Sequence, residues 1–292
     1  MLSNIILLGN GINRIKHSNS WELLLCSLIE QSGLNITQKD KPFPLLYEEI
    51  LLKTLKNTNN KERSLLQKIV ESVNSIETNK YHYACSQLTD EIITTNYDYK
   101  LEESLLSINQ QKHIPKSLTR ERLYSLFRCI KIDNKIIWHI HGEINNIESI
   151  CLGYERYGAN IQKIRNFIIS GDEKKDILPL KKRLIRQENL GVSWVDKFFT
   201  NDISIIGLGL NFHEIDLWWI LDFRAREKYT GNKEINNKIT YYCPIGEDKA
   251  RIQVLEALGV ITREISFEQQ KNQNEANYDI FYKKVFDEFN RN

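Results

Sequence analysis

Two histidines one residue apart, His139 and His141, stand in the stretch IIWHIHGEIN at residues 136–145, with Gly142 and Glu143 directly behind them. On a strand, positions i and i+2 share a face, so the reading places both imidazoles on one side and Trp138 and Ile140 on the other. Three chemistries are open to the pair: satisfied core residues, two ligands of a metal, or a base, since an imidazole titrates near neutral pH. A metal needs a third donor of comparable clarity. Glu143, Cys129 and Cys151 are the nearest candidates, and they follow no ligand spacing. His141 ends the run just before a glycine, where a ring can emerge into a crevice, and that favours a base.

Asn96 and Asp98 form a second polar pair, delivered by the β-branched run of IITTNYDYKLEESL. A carboxamide at the end of a strand can fix a sugar hydroxyl or a water, and open α/β sheets place ligands at those ends. The plainer role for either residue is to cap the helix that starts near Tyr99. Two glycine loops complete the set. LLGNGINR puts Gly9, Asn10, Gly11, Asn13 and Arg14 after one apolar run, and SIIGLGLNFHEIDLWWIL puts Gly207, Gly209, Leu210 and Asn211 after another. Closely spaced glycines between a strand and a helix let backbone N–H groups approach a diphosphate near the helix's positive end. The first loop lacks the third glycine of the dinucleotide fingerprint, so a turn without a ligand is the alternative. Trp218 and Trp219, inside the helix that follows the second loop, read as packing.

Those residues need a sheet to carry them. Short β-branched runs at 4–8, 91–95, 135–141, 202–208, 238–243 and 260–265 alternate with helical periodicity, the signature of βαβ units around a mostly parallel sheet. SLFRCIKIDNKIIWHIH adds a hairpin turning at Asp133-Asn134. Helices are predicted at 20–33, with a Ser20 cap, and from near His213 to Gly231. The fold class is therefore α/β, a Rossmann-like, doubly wound sheet in one unit over residues 1–292. Two helical insertions, about 35–88 and 155–200, interrupt the rhythm and read as a subdomain or cap. The Asn- and Lys-rich linkers NTNNKE, NQQKH and TGNKEINNK read as solvated loops.

Bulk properties narrow the partners. The 292 residues are 41% hydrophobic and 27% charged with a net charge of +2, so no global basic field calls for direct nucleic-acid binding. The longest apolar runs, such as IILL, fall far short of the ~18 residues of a membrane span. A start of MLSNIILLGNGIN, without a basic leader, gives the expectation of a cytoplasmic protein. Cys26, Cys85, Cys129, Cys151 and Cys243 are scattered, form no C-x-x-C knuckle, and read as small buried hydrophobes.

Taken in order, GNGIN, TTNYD, HIHGE and GLGLN resemble the sirtuin-like fold family, in particular the sirtuin-like domains of bacterial anti-phage defence systems, over roughly residues 4–265. The resemblance implies that the first loop holds NAD, with Gly9, Asn10, Gly11 and Asn13 at the dinucleotide. It puts Asn96 and Asp98 beside the nicotinamide ribose, makes His141 the base and Asn96 its catalytic partner, and gives the adenosine side to Gly207, Gly209, Leu210 and Asn211. His139 receives no role. Protein-deacylating sirtuins carry a four-cysteine zinc module that these cysteines cannot build, and their first loop reads Gly-Ala-Gly where this chain has Gly-Asn-Gly. Both departures turn the expectation toward an NAD glycohydrolase with NAD as substrate and no metal. Free NAD hydrolysis is toxic, so the resemblance also implies gating, by homo-oligomerisation or by a partner of the same system such as an ATPase, an Argonaute-like protein or a nucleotide-sensing subunit. A non-catalytic binder of NAD, ADP-ribose or a nucleotide signal is the alternative, with protein deacylation or ADP-ribosyl transfer behind it.

Overall fold

The computed structural model describes residues 3–15, 21–57, 62–108, 113–117, 119, 121, 123–231, 234–266 and 275–289. Among them β1 (Asn4–Leu8), β2 (Glu91–Thr94), β3 (Cys129–Ile132), β4 (Lys135–His139), β5 (Asp202–Ile206), β6 (Ile239–Pro244) and β7 (Val260–Ile265) form one sheet. Its order is β3-β4-β2-β1-β5-β6-β7. Every neighbouring pair is parallel except β3 and β4, an antiparallel hairpin whose turn at Asp133 takes a positive φ of 53°. The helices are α1 (Trp21–Ser32), α2 (Phe43–Asn57), α3 (Glu62–Asn74), α4 (Lys80–Leu88), α5 (Lys100–Ile108), α6 (Tyr154–Ser170), α7 (Leu180–Arg186), α8 (Trp194–Thr200), α9 (Ile215–Tyr229), α10 (Lys249–Ala257) and α11 (Glu275–Phe289). This is the Rossmann-like, doubly wound α/β sheet that the alternation of runs predicts. The Ser20 cap lies outside the described residues, as do parts of the three linkers.

Side chains alternate across the pleat, so each strand feeds two cores. Ile5, Leu7, Ile203 and Ile205 face a layer built from α6 to α10, while Ile6, Leu8, Ile92 and Ile206 face α4, α5 and α11. Burial on both faces explains why the parallel strands read as near-continuous apolar runs. A third apolar cluster joins α1, α2 and α3 to Tyr97, Ile150 and Leu152. The stretch 155–200, which the sequence rhythm sets apart, does not stand apart in space. Ile164, Phe167, Leu180, Leu184 and Trp194 belong to the core of the sheet itself. Arg183 of α7 and Asp196 of α8 lock this layer through two 2.9 Å hydrogen bonds with both side chains fully buried.

β1 occupies the centre, with β2 on one side and β5 on the other, so the chain reverses direction about it. In such sheets the crevice beyond the carboxyl ends of the strands is where ligands bind. No helix among the described residues is long and apolar enough to cross a membrane.

Candidate active site

A cleft opens at that switch point, bordered by Asn10, Gly11, Thr95, Tyr97, His141, Gly207, Gly209 and Asn211. Its chemistry centres on His141. β4 ends at His139, and the two residues that follow form a turn, so the period-two rule no longer applies to them. The expectation that His139 and His141 share a face is corrected accordingly. His139 Nε2 sits 2.7 Å from Glu102 Oε1 of α5, in one layer, and His141 Nε2 sits 2.8 Å from Asp216 Oδ2 of α9, in the other. The turn depends on Gly142, whose φ is 101° and whose missing side chain would run into the Ser149 carbonyl. Only a residue without Cβ combines that φ with that approach.

Asp216 is fully buried and gathers three donors: His141 at 2.8 Å, Asn160 Nδ2 at 2.7 Å and the Leu217 N–H at 2.9 Å. Burial opposes its ionisation, but the His141 charge and the hydrogen bonds outweigh it and hold the carboxyl below the usual range. The same balance acts on His141, where burial is outweighed by Asp216 and Glu214 and the imidazole pKa rises. With Nε2–H given to Asp216, the basic lone pair lies on Nδ1, which has no hydrogen-bond partner among the described residues while the ring borders the cleft. Tyr157 packs edge-on against the ring, 5.4 Å between centroids. Glu214, also on the wall, is pushed up to about 7 by burial, and its Oε2 is buried without a hydrogen-bond partner. An imidazole held by a carboxylate and open on its far side is the arrangement of a general base.

The other residues singled out in the sequence divide into two groups. Asn10, Gly11, Gly207, Gly209 and Asn211 border the cleft, whereas Gly9, Asn13, Asn96, Asp98 and Leu210 stand behind them. Asn96 has its N–H on Thr94 Oγ1 and its carbonyl facing His139 Nδ1 at 3.1 Å. Its carboxamide lies beside the Gly9 carbonyl, and its Oδ1 is buried with no partner. Asp98 caps α5 by accepting the Lys100 N–H at 2.9 Å, and its other oxygen accepts from Asn13 Nδ2 at 2.9 Å. Leu210 is buried with a positive φ of 46°, an unusual conformation for a bulky side chain. Gly11 N–H donates to the Gly207 carbonyl at 2.7 Å, and a Cβ on Gly9 or Gly11 would lie 2.6 Å from that same oxygen. These glycines therefore let the two loops meet each other. Arg14 borders the cleft with its guanidinium over the Tyr278 ring, and His213 stacks on Phe43 at its rim.

Sequence reasoning missed Asp216, Asn160, Glu214 and Tyr157. The available signal was the acidic pair of HEIDLWW directly after the second glycine loop, which reads as an ordinary helix start. Glu143 is committed to Arg128 at 2.7 Å and to the Tyr99 hydroxyl at 2.9 Å. Among the described residues no group of three or more His, Cys, Asp or Glu side chains could hold a metal ion, and the five cysteines are unpaired.

A doubly wound sheet with a carboxylate-held histidine at its switch point defines the class as a Rossmann-like nucleotide fold with a polar site. The profile of the SIR2-like domain matches residues 90–259, more than half of the chain, and the chain belongs to that family. Membership points to an NAD-utilising enzyme. No curated protein matches the chain in sequence.

Proposed function

We propose that the protein hydrolyses the bond between nicotinamide and ribose in NAD, releasing nicotinamide and ADP-ribose. The observation that carries this reading is the His141–Asp216 dyad, whose histidine lies on the wall of a cleft bordered by the two glycine loops. Nicotinamide leaves as a neutral base from a cationic pyridinium, so cleavage needs no strong general acid. It needs stabilisation of a developing oxocarbenium ion and a water held on the opposite face of the sugar. His141 Nδ1 would take the water's proton as the oxygen–carbon bond forms and the electron pair of the broken bond returns to the ring nitrogen. Asp216 would stabilise the resulting imidazolium. Asn96 would fix a ribose hydroxyl or the water, and Arg14 and Asn10 would meet the diphosphate.

The role proposed is that of a toxic effector in an anti-phage abortive-infection system, active in the cytoplasm. Its gating would come from oligomerisation or from a protein partner of the same system, an ATPase, an Argonaute-like protein or a nucleotide-sensing subunit. The support is chemical: constant NAD loss would kill the host. One observation favours a second reading, a nucleotide-binding module without turnover, because the Asn96 side chain stands behind the wall rather than on it. Incubation with NAD, alone and with co-expressed neighbours, separates the two. Nicotinamide release that disappears in His141→Ala supports hydrolysis, and binding of ADP-ribose without any nicotinamide release supports the module.

A further inference from the structure

Glu214 stands where a helix cap belongs and does not cap. It directly precedes α9, yet its side chain makes no hydrogen bond to the first turn, and Asp216 takes the Leu217 N–H instead. Its Oε2 is buried without a hydrogen-bond partner among the described residues. Arg251, a cation whose charge reaches it, is bonded elsewhere, to Asn211 Oδ1 at 2.8 Å and to Glu247. A buried carboxyl that neither caps, pairs nor accepts a hydrogen bond is unfavourable. Burial accordingly pushes the Glu214 pKa up to about 7 against the pull of the His141 charge, with Asp216 adding to the rise and Arg251 opposing it. Nothing in the packing accounts for a carboxyl here.

A donor brought by a ligand would relieve that cost. Glu214 borders the same cleft as His141, and the two charges act on one another. In the hydrolysis proposed above, the base lies on the face of the sugar away from the departing nicotinamide. The wall beside the base therefore meets the ribose and not the pyridine ring. Ligand chemistry points the same way: a diphosphate offers only acceptors, which a carboxylate repels, whereas a ribose offers two neighbouring hydroxyl donors. We propose that Glu214 accepts a hydroxyl of the ribose that carries the nicotinamide and so holds the sugar against His141. The proposal rests on the nucleotide reading of the cleft. Asn96, assigned to the same sugar, stands behind the wall, and Glu214 stands on it.

Binding separates this role from any effect on the chemical step, because ADP-ribose keeps the ribose but has no nicotinamide to lose, and ADP lacks that ribose altogether. The test is calorimetric titration of ADP-ribose and of ADP into wild-type protein, Glu214→Gln and Glu214→Leu, with a thermal melt of each. Wild type is expected to bind ADP-ribose more tightly than ADP. Glu214→Leu should bind ADP-ribose about 10-fold or more weakly, the loss typical of one hydrogen bond to a charged group. Glu214→Gln, which keeps an acceptor without the charge, should lose less, and both variants should bind ADP as wild type does. Unchanged ADP-ribose affinity in Glu214→Leu, equal losses for the two ligands, or a wild type that binds them equally well would overturn the contact while leaving the nucleotide site intact. Failure of the wild-type protein to bind either ligand would remove the nucleotide reading, and the role of Glu214 with it.

Discussion

Replacement of Asp216 by asparagine keeps the size of the side chain and removes what the site asks of it. Three donors converge on this carboxylate, from His141, Asn160 and the Leu217 backbone. An asparagine offers one oxygen. If that oxygen stays on the Leu217 N–H, its NH2 faces Asn160 and His141, which forces the imidazole to accept at Nε2 and moves its proton to Nδ1, where the base is needed. If the amide turns over, the Leu217 N–H is left facing another donor. Either way a buried donor loses its acceptor, at about 1–3 kcal/mol of stability, and the imidazolium loses its counter-charge. The expected fall in NAD turnover is about 10²–10⁴-fold, the usual worth of a positioned base. The pH profile carries the second signature. Because Asp216 and Glu214 outweigh burial, the His141 pKa lies above its ordinary 6.5, so activity that needs the neutral ring rises with pH along a limb above that value. In Asp216→Asn burial prevails and the limb moves down. The assay is nicotinamide release from NAD by equal concentrations of folded wild type and variant across the neutral range. Turnover within a few-fold of wild type with an unmoved limb would refute the dyad.

His141→Ala and Asn96→Ala should each cut nicotinamide release by about 10²–10⁴-fold while a cooperative melt, lowered in His141→Ala by the stranded Asp216 carboxylate, shows that the variants still fold. Gly142→Ala forces a side chain into the Ser149 carbonyl at a φ of 101°, so denaturant titration should show a stability loss of about 1–3 kcal/mol and the turn carrying His141 should lose activity with it. Arg183→Ala strands the fully buried Asp196 carboxylate, and urea unfolding should register about 3–5 kcal/mol of destabilisation. The ion pair of His141 with Asp216 gives a pH signature of stability as well. A histidine whose folded pKa is raised contributes stability that is complete below its unfolded value and is lost as pH rises through the folded one. Wild type should therefore lose more stability above neutrality than His141→Gln.

The sheet was legible because the central strands are buried on both faces and read as short, nearly continuous apolar runs: β1 is apolar from Ile5 to Leu8, and in β5 only Asp202 and the buried Ser204 interrupt the isoleucines. The layer at 155–200 was not legible as part of that sheet. Three helices between β4 and β5 exceed what one crossover requires, and only the packing of Phe167, Leu184 and Trp194 against β-strand side chains shows where they belong. The dyad was out of reach for another reason. His141 and Asp216 are 75 positions apart, and no periodicity couples them. Asp98 illustrates a limit of residue type itself. A carboxylate after a strand suits a sugar and a helix N-terminus equally, and here its oxygens serve the Lys100 N–H and Asn13.

The glycines make the same point with more consequence for function. Two Gly-x-Gly loops at neighbouring strand ends predict a backbone that something must approach closely. In the structure Gly9 and Gly11 are approached by the Gly207 carbonyl, at a distance that no Cβ would permit. The pattern thus measures close approach without saying by what, and a nucleotide fold that had lost its ligand would keep it. A buried carboxylate that draws three donors and leaves an imidazole lone pair beside a cleft is different. Packing gains nothing from placing an ionised pair there, since apolar residues of the same volume would serve stability as well or better. The case for chemistry in this chain therefore stands on Asp216 and His141, and the glycine loops serve to say where the substrate would lie.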